Sequence, residues 1–157
     1  MKRSFSICLL FLTLGLQHLY AQEIACADSV ALKLKLKQIR DSDQQIRAKI
    51  RTEMSTQNAV KLKEMAIEMR SSDKLNQHFV SALLDRCGWP NGLDSTENNT
   101  LFLVIDHADT SFMSKYMPTL ARQAQFGKVS KSDLATVQDR MASGAEKNSY
   151  MVRRHFG

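Results

Sequence analysis

Residues 101–109 (LFLVIDHAD) constrain the fold more than any other segment of this chain. On a helix their apolar side chains cover almost the whole circumference, and only Asp106 and Asp109 mark a narrow polar edge. A buried strand would also fit such an apolar run, but the acidic and polar residues before it are typical of a helix start. A helix that is apolar nearly all round is usually buried. The run therefore predicts a central helix, and it places His107 inside a bundle.

The N-terminus has the organisation of a secretory signal peptide. Two basic residues precede an apolar segment at residues 5–16, and Ala21 follows as a small residue before polar sequence. This order of charge, apolar core and small residue is the pattern that export machinery recognises. It predicts a signal peptide over residues 1–21 and an exported helical domain, periplasmic or extracellular, over residues 22–157.

Other ways of processing the leader remain open. Ala27 closes a second small-residue pattern that fits cleavage, and Cys26 would carry a lipid if it became the new N-terminus. The apolar segment is shorter than the roughly 20 residues that a membrane-spanning helix needs, and no later run approaches that length. We therefore expect no membrane span after cleavage.

Cleavage removes one of the three cysteines and leaves Cys26 and Cys87. An even pair in an oxidising compartment predicts a disulfide between the start of the first helix and the end of the third. Two unpaired buried thiols are the alternative. The chain has no Cys-x-x-Cys and no second histidine at ligand spacing, so the sequence predicts no metal site and no cofactor.

Size and charge narrow the class of protein further. The exported part is long enough for one hydrophobic core and too short for two. The whole chain has a formal charge of +6, and removal of Lys2 and Arg3 with the signal peptide leaves +4 on the exported part. The remaining basic residues are mixed with acidic ones. Nucleic-acid binding would need clustered basic charge and aromatic residues, so we exclude that class. Helical periodicity instead predicts an all-α, single-domain bundle of about five to six helices.

The first half of the chain predicts three helices. Apolar residues recur every three, four or seven positions over residues 28–54, which indicates one long amphipathic helix. Residues 58–70 and 73–87 follow as separate helices, because Ser72 and Asp73 are typical of a helix cap. In the third helix the pattern predicts that Leu75 is buried, together with Phe79, Ala82 and Leu83.

The second half predicts two further helices after the central one. A cap or kink near Asp109 opens a helix that continues past Pro118 to Gly127. Ser130 begins a capping-box variant and opens the last helix. The tail, residues 142–157, shows no clear period, and we expect it to be docked or loose.

Asp43 breaks the apolar face of the first helix. A carboxylate facing the core is costly unless a hydrogen bond or an opposite charge compensates it. Pairing with Arg47, one turn later, is the simplest explanation. The alternative is that Asp43 faces a cleft, beside Gln44 and Arg47, and binds a ligand.

Trp89 lies in a break of the helical pattern, between Gly88 and Pro90. Gly88 is suited to end a helix in a left-handed conformation, and the proline prevents the helix from resuming. The indole either packs the following loop onto the core or serves as a platform for a ligand. Long ordered loops often carry binding residues.

Several motifs together resemble an uncharacterised family of small helical bacterial proteins, many of them exported. They are Asp43-Gln44-x-x-Arg47, Gly88-Trp89-Pro90, His107-Ala108-Asp109 and Asp139-Arg140. Family members show D-Q-x-x-R, G-W-P, Q-H-A-D and D-R, followed by Q-x-Y-G-T-Q. This chain departs from the pattern with Asp106 in place of the glutamine and with N-x-Y-M-V-R around Tyr150. The resemblance covers about residues 39–150. The resemblance implies a helical fold in which the residues of these motifs form a shared polar cluster. It implies no particular reaction.

The sequence leaves three functional hypotheses open. In the first, an exported module binds a small anionic ligand in a cleft between helices, and two arginines suit such a ligand. The cleft would present Asp43, Arg47, His107 and Arg140, with Trp89 as its wall. In the second, His107 is the general base of a hydrolase and Asp43 orients it. No serine or cysteine occupies a nucleophile motif, so water would attack. In the third, the cluster is a buried network that aligns the helices of an envelope interaction protein.

Overall fold

The computed structural model describes Cys26 and residues 29–156, with side chains as far as Gly144. This part of the chain forms five helices and no strand, which confirms the all-α prediction. The helices are α1 (Ser29–Met54), α2 (Ala59–Cys87), α3 (Ser95–Asp106), α4 (Thr110–Gln125) and α5 (Lys131–Phe156). None of the described helices is both long and apolar enough to cross a membrane. The predicted signal peptide over residues 1–21 and both cleavage positions, Ala21 and Ala27, lie outside the described residues.

Helix α3 is the central element, as its apolar circumference predicts. It contacts α1, α2, α4 and α5, and Leu101, Phe102 and Ile105 are among its buried residues. Asp94 and Glu97 form a reciprocal capping box at its start, which satisfies free backbone N–H groups there. The helix ends at Asp106, and His107 is its C-cap. The end of the buried helix α3 therefore determines where His107 lies.

Helices α1 and α2 form a long antiparallel hairpin. The predicted disulfide between Cys26 and Cys87 is present and ties the open end of the hairpin, with the two Cα atoms 5.6 Å apart. At the turn, the buried carboxylate of Glu53 accepts a hydrogen bond from Thr56 and pairs with Lys61. The disulfide and this turn fix which side chains of α1 and α2 face each other.

The direction of α1 relative to α3 follows from three contacts. Lys33 pairs with Glu97, Arg40 donates to Asn99, and Asp43 meets His107. The residue numbers of the partners increase in the same order from α1 to α3, so the two helices run side by side in the same direction. Residues of α1 beyond Asp43 therefore extend past the end of α3, together with the facing part of α2.

The prediction of a break at Ser72 and Asp73 is wrong, because α2 is continuous across them. The segment contains no glycine or proline, and the side chain of Asp73 pairs with α1 instead of capping its own backbone. The expected burial of Leu75 is also wrong, since this side chain is 71% exposed. The face of α2 that is buried against its neighbours instead contains Asn76, Val80, Leu83 and Leu84.

Helices α4 and α5 pack against each other and complete the bundle. Asp109 is the N-cap of α4 and accepts a hydrogen bond from the backbone N–H of Phe112, as expected of a cap. Ser130 caps α5 in the same way. The predicted tail is helical as far as Phe156, because α5 continues through it. Alanine, glutamate, lysine, methionine and arginine in this segment are strong helix formers, and their propensity outweighs the missing apolar period.

Candidate functional site

The imidazole of His107 and the carboxylate of Asp43 lie in contact where α3 ends. The distance from His107 Nδ1 to Asp43 Oδ1 is 3.1 Å, although the residues are 64 positions apart in sequence. Asp43 is only 5% exposed, and the side chain of His107 is 15% exposed. The structure thus brings together the two polar residues that interrupt the apolar faces of α1 and α3.

Asp43 is a fully hydrogen-bonded carboxylate. Arg47 Nε donates to Oδ1 at 2.8 Å, and Gln44 Nε2 donates to Oδ2 at 2.7 Å. Burial alone would raise the pKa of Asp43, but the hydrogen bonds and positive charges of His107 and Arg47 together lower it below the ordinary value of 3.8. An ionised carboxylate only accepts hydrogen bonds, so we assign the hydrogen of the neutral imidazole to Nδ1.

Arg47 connects α1 to α2 through all three of its nitrogens. Besides its bond to Asp43, Nη2 donates to Asp73 Oδ1 at 2.8 Å, and Nη1 lies 3.2 Å from Met69 Sδ. Burial raises the pKa of Asp73, and the nearby guanidinium only partly offsets this effect. Because each of its three nitrogens already donates a hydrogen bond inside the protein, Arg47 is a structural link between the two helices.

Asp73 is the first residue of the cluster that sequence reasoning missed. Its position after Ser72 resembles a cap, and a cap would place the side chain outside the core. The signal that could have found it is spacing. If α2 is continuous, Asp73 precedes Asn76, Val80 and Leu83 by three, seven and ten residues, which puts all four on one face.

The other nitrogen of His107 has a different environment. Nε2 makes no hydrogen bond within the described part of the chain, and the nearest carboxylate oxygen, Asp106 Oδ2, is 3.9 Å away. That oxygen accepts a hydrogen bond from Arg140 Nη1 at 3.0 Å. The other oxygen of Asp106, Oδ1, is buried without a hydrogen-bond partner. The imidazole is therefore satisfied on its inner side and unsatisfied on its outer side.

Asp106 is the second residue that sequence reasoning missed. The wheel places it on a narrow polar edge, yet the residue is only 8% exposed. The available signal was its position directly after five apolar residues, together with Arg140 at the edge of the apolar stripe of α5. A buried carboxylate needs a partner, and the arginine supplies one.

The inner side of the cluster does not form a ligand cavity. Asp43, Asp73, Asn76, Val104 and His107 line a space that encloses no room for a water molecule. Ligand atoms of Asp43, Asp73 and His107 lie within 4.8 Å of one another, a spacing that could hold a metal ion. The guanidinium of Arg47, however, lies between the two carboxylates and already supplies the positive charge that they need. The donor set therefore fits an internal ion pair better than a metal ion.

The structure separates Trp89 from this cluster. Trp89 is buried, and its Nε1 donates to Asn98 Oδ1 at 2.8 Å, while Asn98 in turn bonds the backbone of Leu93 and Asp94. Asn98 lies near the start of α3 and His107 at its end, about 13 Å apart at the rise of an α-helix. Trp89 packs the loop onto the core and does not form a wall beside His107.

The remaining candidates take different positions. Gln44 lies within the cluster through its bond to Asp43. Asp109 is exposed and caps α4, and hydrogen bonds from Ser111 and from the backbone of Phe112 lower its pKa. Asp139 is exposed on α5. Tyr150 belongs to α5, but its side chain is outside the described residues.

A comparison with known proteins found no matching family model, no matching curated protein and no matching solved structure. The resemblance to the uncharacterised exported family therefore stays a prediction.

Proposed function

We propose that this protein is exported and binds a small anionic molecule that also carries an O–H donor, such as hydrogen phosphate, at the outer edge of His107, between the imidazole and Arg140. One observation carries the proposal: Asp43 holds the ring through Nδ1, while Nε2 has no hydrogen-bond partner within the described part of the chain. The disulfide between Cys26 and Cys87 is compatible with an oxidising compartment outside the cytoplasm.

The unequal environments of the two ring nitrogens favour a binding role over a purely structural one. Buried polar networks that only stabilise a fold normally satisfy all of their polar atoms. The inner half of this cluster meets that expectation, because both oxygens of Asp43 and all three nitrogens of Arg47 take part in hydrogen bonds. The outer half does not, since Asp106 Oδ1 is buried without a partner and the partly exposed His107 Nε2 makes no hydrogen bond among the described residues.

Arg140 is the cation that this site offers to a ligand. Its side chain is 44% exposed, and one N–H group bonds to Asp106. A guanidinium has five N–H donors arranged as a planar fork, which suits carboxylate and phosphate oxygens. Arg47 has less freedom, because its side chain is mostly buried and each of its three nitrogens already donates a hydrogen bond within the protein.

The fixed charges around the imidazole do not by themselves attract an anion. They are three carboxylates and two guanidiniums: Asp43, Asp73, Asp106, Arg47 and Arg140. With a neutral imidazole the cluster carries a net charge of −1. The attraction for an anion must therefore come from the exposed guanidinium of Arg140.

The test uses the mature, disulfide-bonded protein and inorganic phosphate as the probe. Phosphate is titrated against chloride at constant ionic strength, and the imidazole nitrogens are followed by nitrogen-15 NMR. We expect the His107 resonances to shift and saturate, while those of His78, an exposed histidine on α2, do not. Arg140→Gln should abolish the shift, and Arg122→Gln, an exposed arginine on α4, should leave it unchanged. Equal shifts at both histidines, or unchanged binding in Arg140→Gln, would contradict the proposal.

A structural role for the inner half is a second function that a separate observation favours. Arg47 joins Asp43 on α1 to Asp73 on α2, and Asp43 joins both to α3 through His107. A network that spans three helices fixes their alignment. Arg47→Gln should therefore lower the stability of the fold and leave phosphate binding at Arg140 intact. A loss of phosphate binding in a folded Arg47→Gln protein would show that the two halves are not separate.

A further inference from the structure

The outer edge of His107 places two hydrogen-bond acceptors against each other. The Nδ1 hydrogen of the neutral ring points to Asp43, so Nε2 carries a lone pair. Asp106 Oδ2 lies 3.9 Å from that lone pair, and Asp106 Oδ1 is buried without a donor. Buried acceptors without a donor are costly, so this edge favours a molecule that donates hydrogen bonds to both groups.

A water molecule can donate to His107 Nε2 and to Asp106 Oδ2, although it leaves Asp106 Oδ1 without a donor. Its oxygen can lie about 2.8 Å from both His107 Nε2 and Asp106 Oδ2, an ordinary hydrogen-bond length, when the two acceptors are 3.9 Å apart. Both hydrogens of the water are then used, and its lone pairs point away from the protein. The side chain of His107 is 15% exposed, so part of the imidazole reaches the surface.

We infer that the site hydrolyses small carboxylic esters, with His107 as general base towards this water. The inference rests on the proposed function. Arg140, which binds the anion there, would here stabilise the negative charge that develops on the carbonyl oxygen of the ester. Asp106 is a positioning residue that orients the water. Asp43 is a positioning residue that holds the ring and stabilises its protonated form.

The reaction balances with water as the only co-reactant. The water oxygen forms a bond to the carbonyl carbon while one of its protons passes to His107 Nε2. The carbonyl electrons move onto the oxygen that faces Arg140. When the tetrahedral intermediate collapses, the bond from carbon to the leaving oxygen breaks, and the imidazolium returns its proton to that oxygen. The products are a carboxylic acid and an alcohol.

The number of cations at this edge favours acyl transfer over phosphoryl transfer. In phosphoryl transfer, charge spreads over three equatorial oxygens, and enzymes usually meet it with several cations. Within the described part of the chain, Arg140 is the cation that the cluster presents to this edge, and Arg47 is used internally. A single guanidinium matches the single oxyanion of an ester hydrolysis.

The experiment measures nitrophenolate release from p-nitrophenyl acetate and from the p-nitrophenyl monoester of succinate by the mature protein. His107→Gln should reduce the rate by roughly 100-fold or more, the usual contribution of a general base. His78→Gln is the control, because this exposed histidine would report any non-specific hydrolysis by an imidazole. Thermal unfolding of each variant checks that it is folded.

Two further measurements separate positioning from a structural effect. Asp106→Asn should lower kcat with little change in KM, and it should reduce the solvent isotope effect that a general base produces. Phosphate should inhibit competitively in the unchanged protein and fail to inhibit Arg140→Gln.

Each outcome bears on one proposal. Phosphate binding at His107 without ester turnover above the rate of His107→Gln would overturn the hydrolysis and leave the binding function standing. Equal losses in His78→Gln and His107→Gln would also overturn the hydrolysis. Absence of both turnover and phosphate binding would overturn both proposals.

Discussion

Replacing Asp43 with asparagine tests the cluster with the least change in shape. Asp43 accepts hydrogen bonds from Arg47 and His107 on one oxygen and from Gln44 on the other. Asparagine keeps one acceptor oxygen, loses the charge and turns an NH₂ group towards a donor. A hydrogen bond to a charged group is worth about 1.5–3 kcal/mol. Arg47 keeps Asp73 as a partner, so no isolated cation remains, and we expect a total loss of about 2–3 kcal/mol at neutral pH.

The effect of Asp43→Asn should depend on pH in one direction. The pKa of Asp43 is lowered in the folded protein, so its contribution to stability is present above the ordinary value of 3.8. This contribution is lost as the pH falls through the lowered pKa, because the unchanged protein then carries a neutral carboxyl as well. The difference in unfolding free energy between the two proteins should therefore shrink towards zero in acid.

Urea unfolding at several pH values measures this difference. Asp41→Asn is the matched control, because Asp41 lies on the same helix, is exposed and pairs only with Lys37 in the described part of the chain. It should change stability much less than Asp43→Asn, since exposed ion pairs contribute little. A cost for Asp43→Asn no larger than that of Asp41→Asn would refute the reasoning. So would a large difference that persists unchanged well below pH 3.8.

Asp73 provides a comparison of opposite sign. Burial raises its pKa, so the related stability is present below 3.8 and is lost as the pH rises through the raised value. Asp73→Asn should therefore cost less than Asp43→Asn at neutral pH, although both residues pair with Arg47. The same urea experiments test this order, and the reverse order would show that the Arg47–Asp73 bond dominates the network.

Three further predictions concern the scaffold around the cluster. A Cβ atom on Gly144 would lie 2.7 Å from Thr110 Oγ1, so Gly144→Ala should destabilise the protein, and Thr110→Ala should relieve the clash in a double-mutant cycle of thermal unfolding. The disulfide between Cys26 and Cys87 joins cysteines that are 61 positions apart in sequence. Its reduction should lower the unfolding free energy by roughly 4 kcal/mol, measured in urea with and without reductant. Ile105 is fully buried in α3, and Ile105→Ala should cost about 2–5 kcal/mol in the same assay.

The contact between Asp43 and His107 could be predicted from sequence because each residue breaks an otherwise apolar face. A buried carboxylate and a buried imidazole in one small core satisfy each other at the lowest cost. The disulfide could be predicted because only two cysteines remain after the expected cleavage. In both cases the sequence offers few alternative partners, so pairing follows from elimination without any knowledge of distance.

The roles of Asp73 and Trp89 could not be predicted in the same way. Ser72 and Asp73 carry a local capping signal, and only packing along the whole length of α1 shows that α2 continues through them. The position of Trp89 relative to His107 depends on the direction and length of α3, because Trp89 packs near the start of this helix and His107 lies at its end. Properties that depend on how elements lie relative to one another are not encoded in local patterns.

The cluster contains two halves that share one carboxylate. On the inner side, Asp43 and Arg47 join α1 to α2. Each oxygen of Asp43 and each nitrogen of Arg47 takes part in a hydrogen bond, which stabilises the fold. On the outer side, the same carboxylate fixes the ring of His107 so that Nε2 faces Asp106 and Arg140. A stable inner network holds the ring in place and leaves the outer nitrogen for a molecule that donates a hydrogen bond. This arrangement gives the histidine at position 107 a role that an apolar residue could not fill, although an apolar residue would have avoided the cost of burying a polar group.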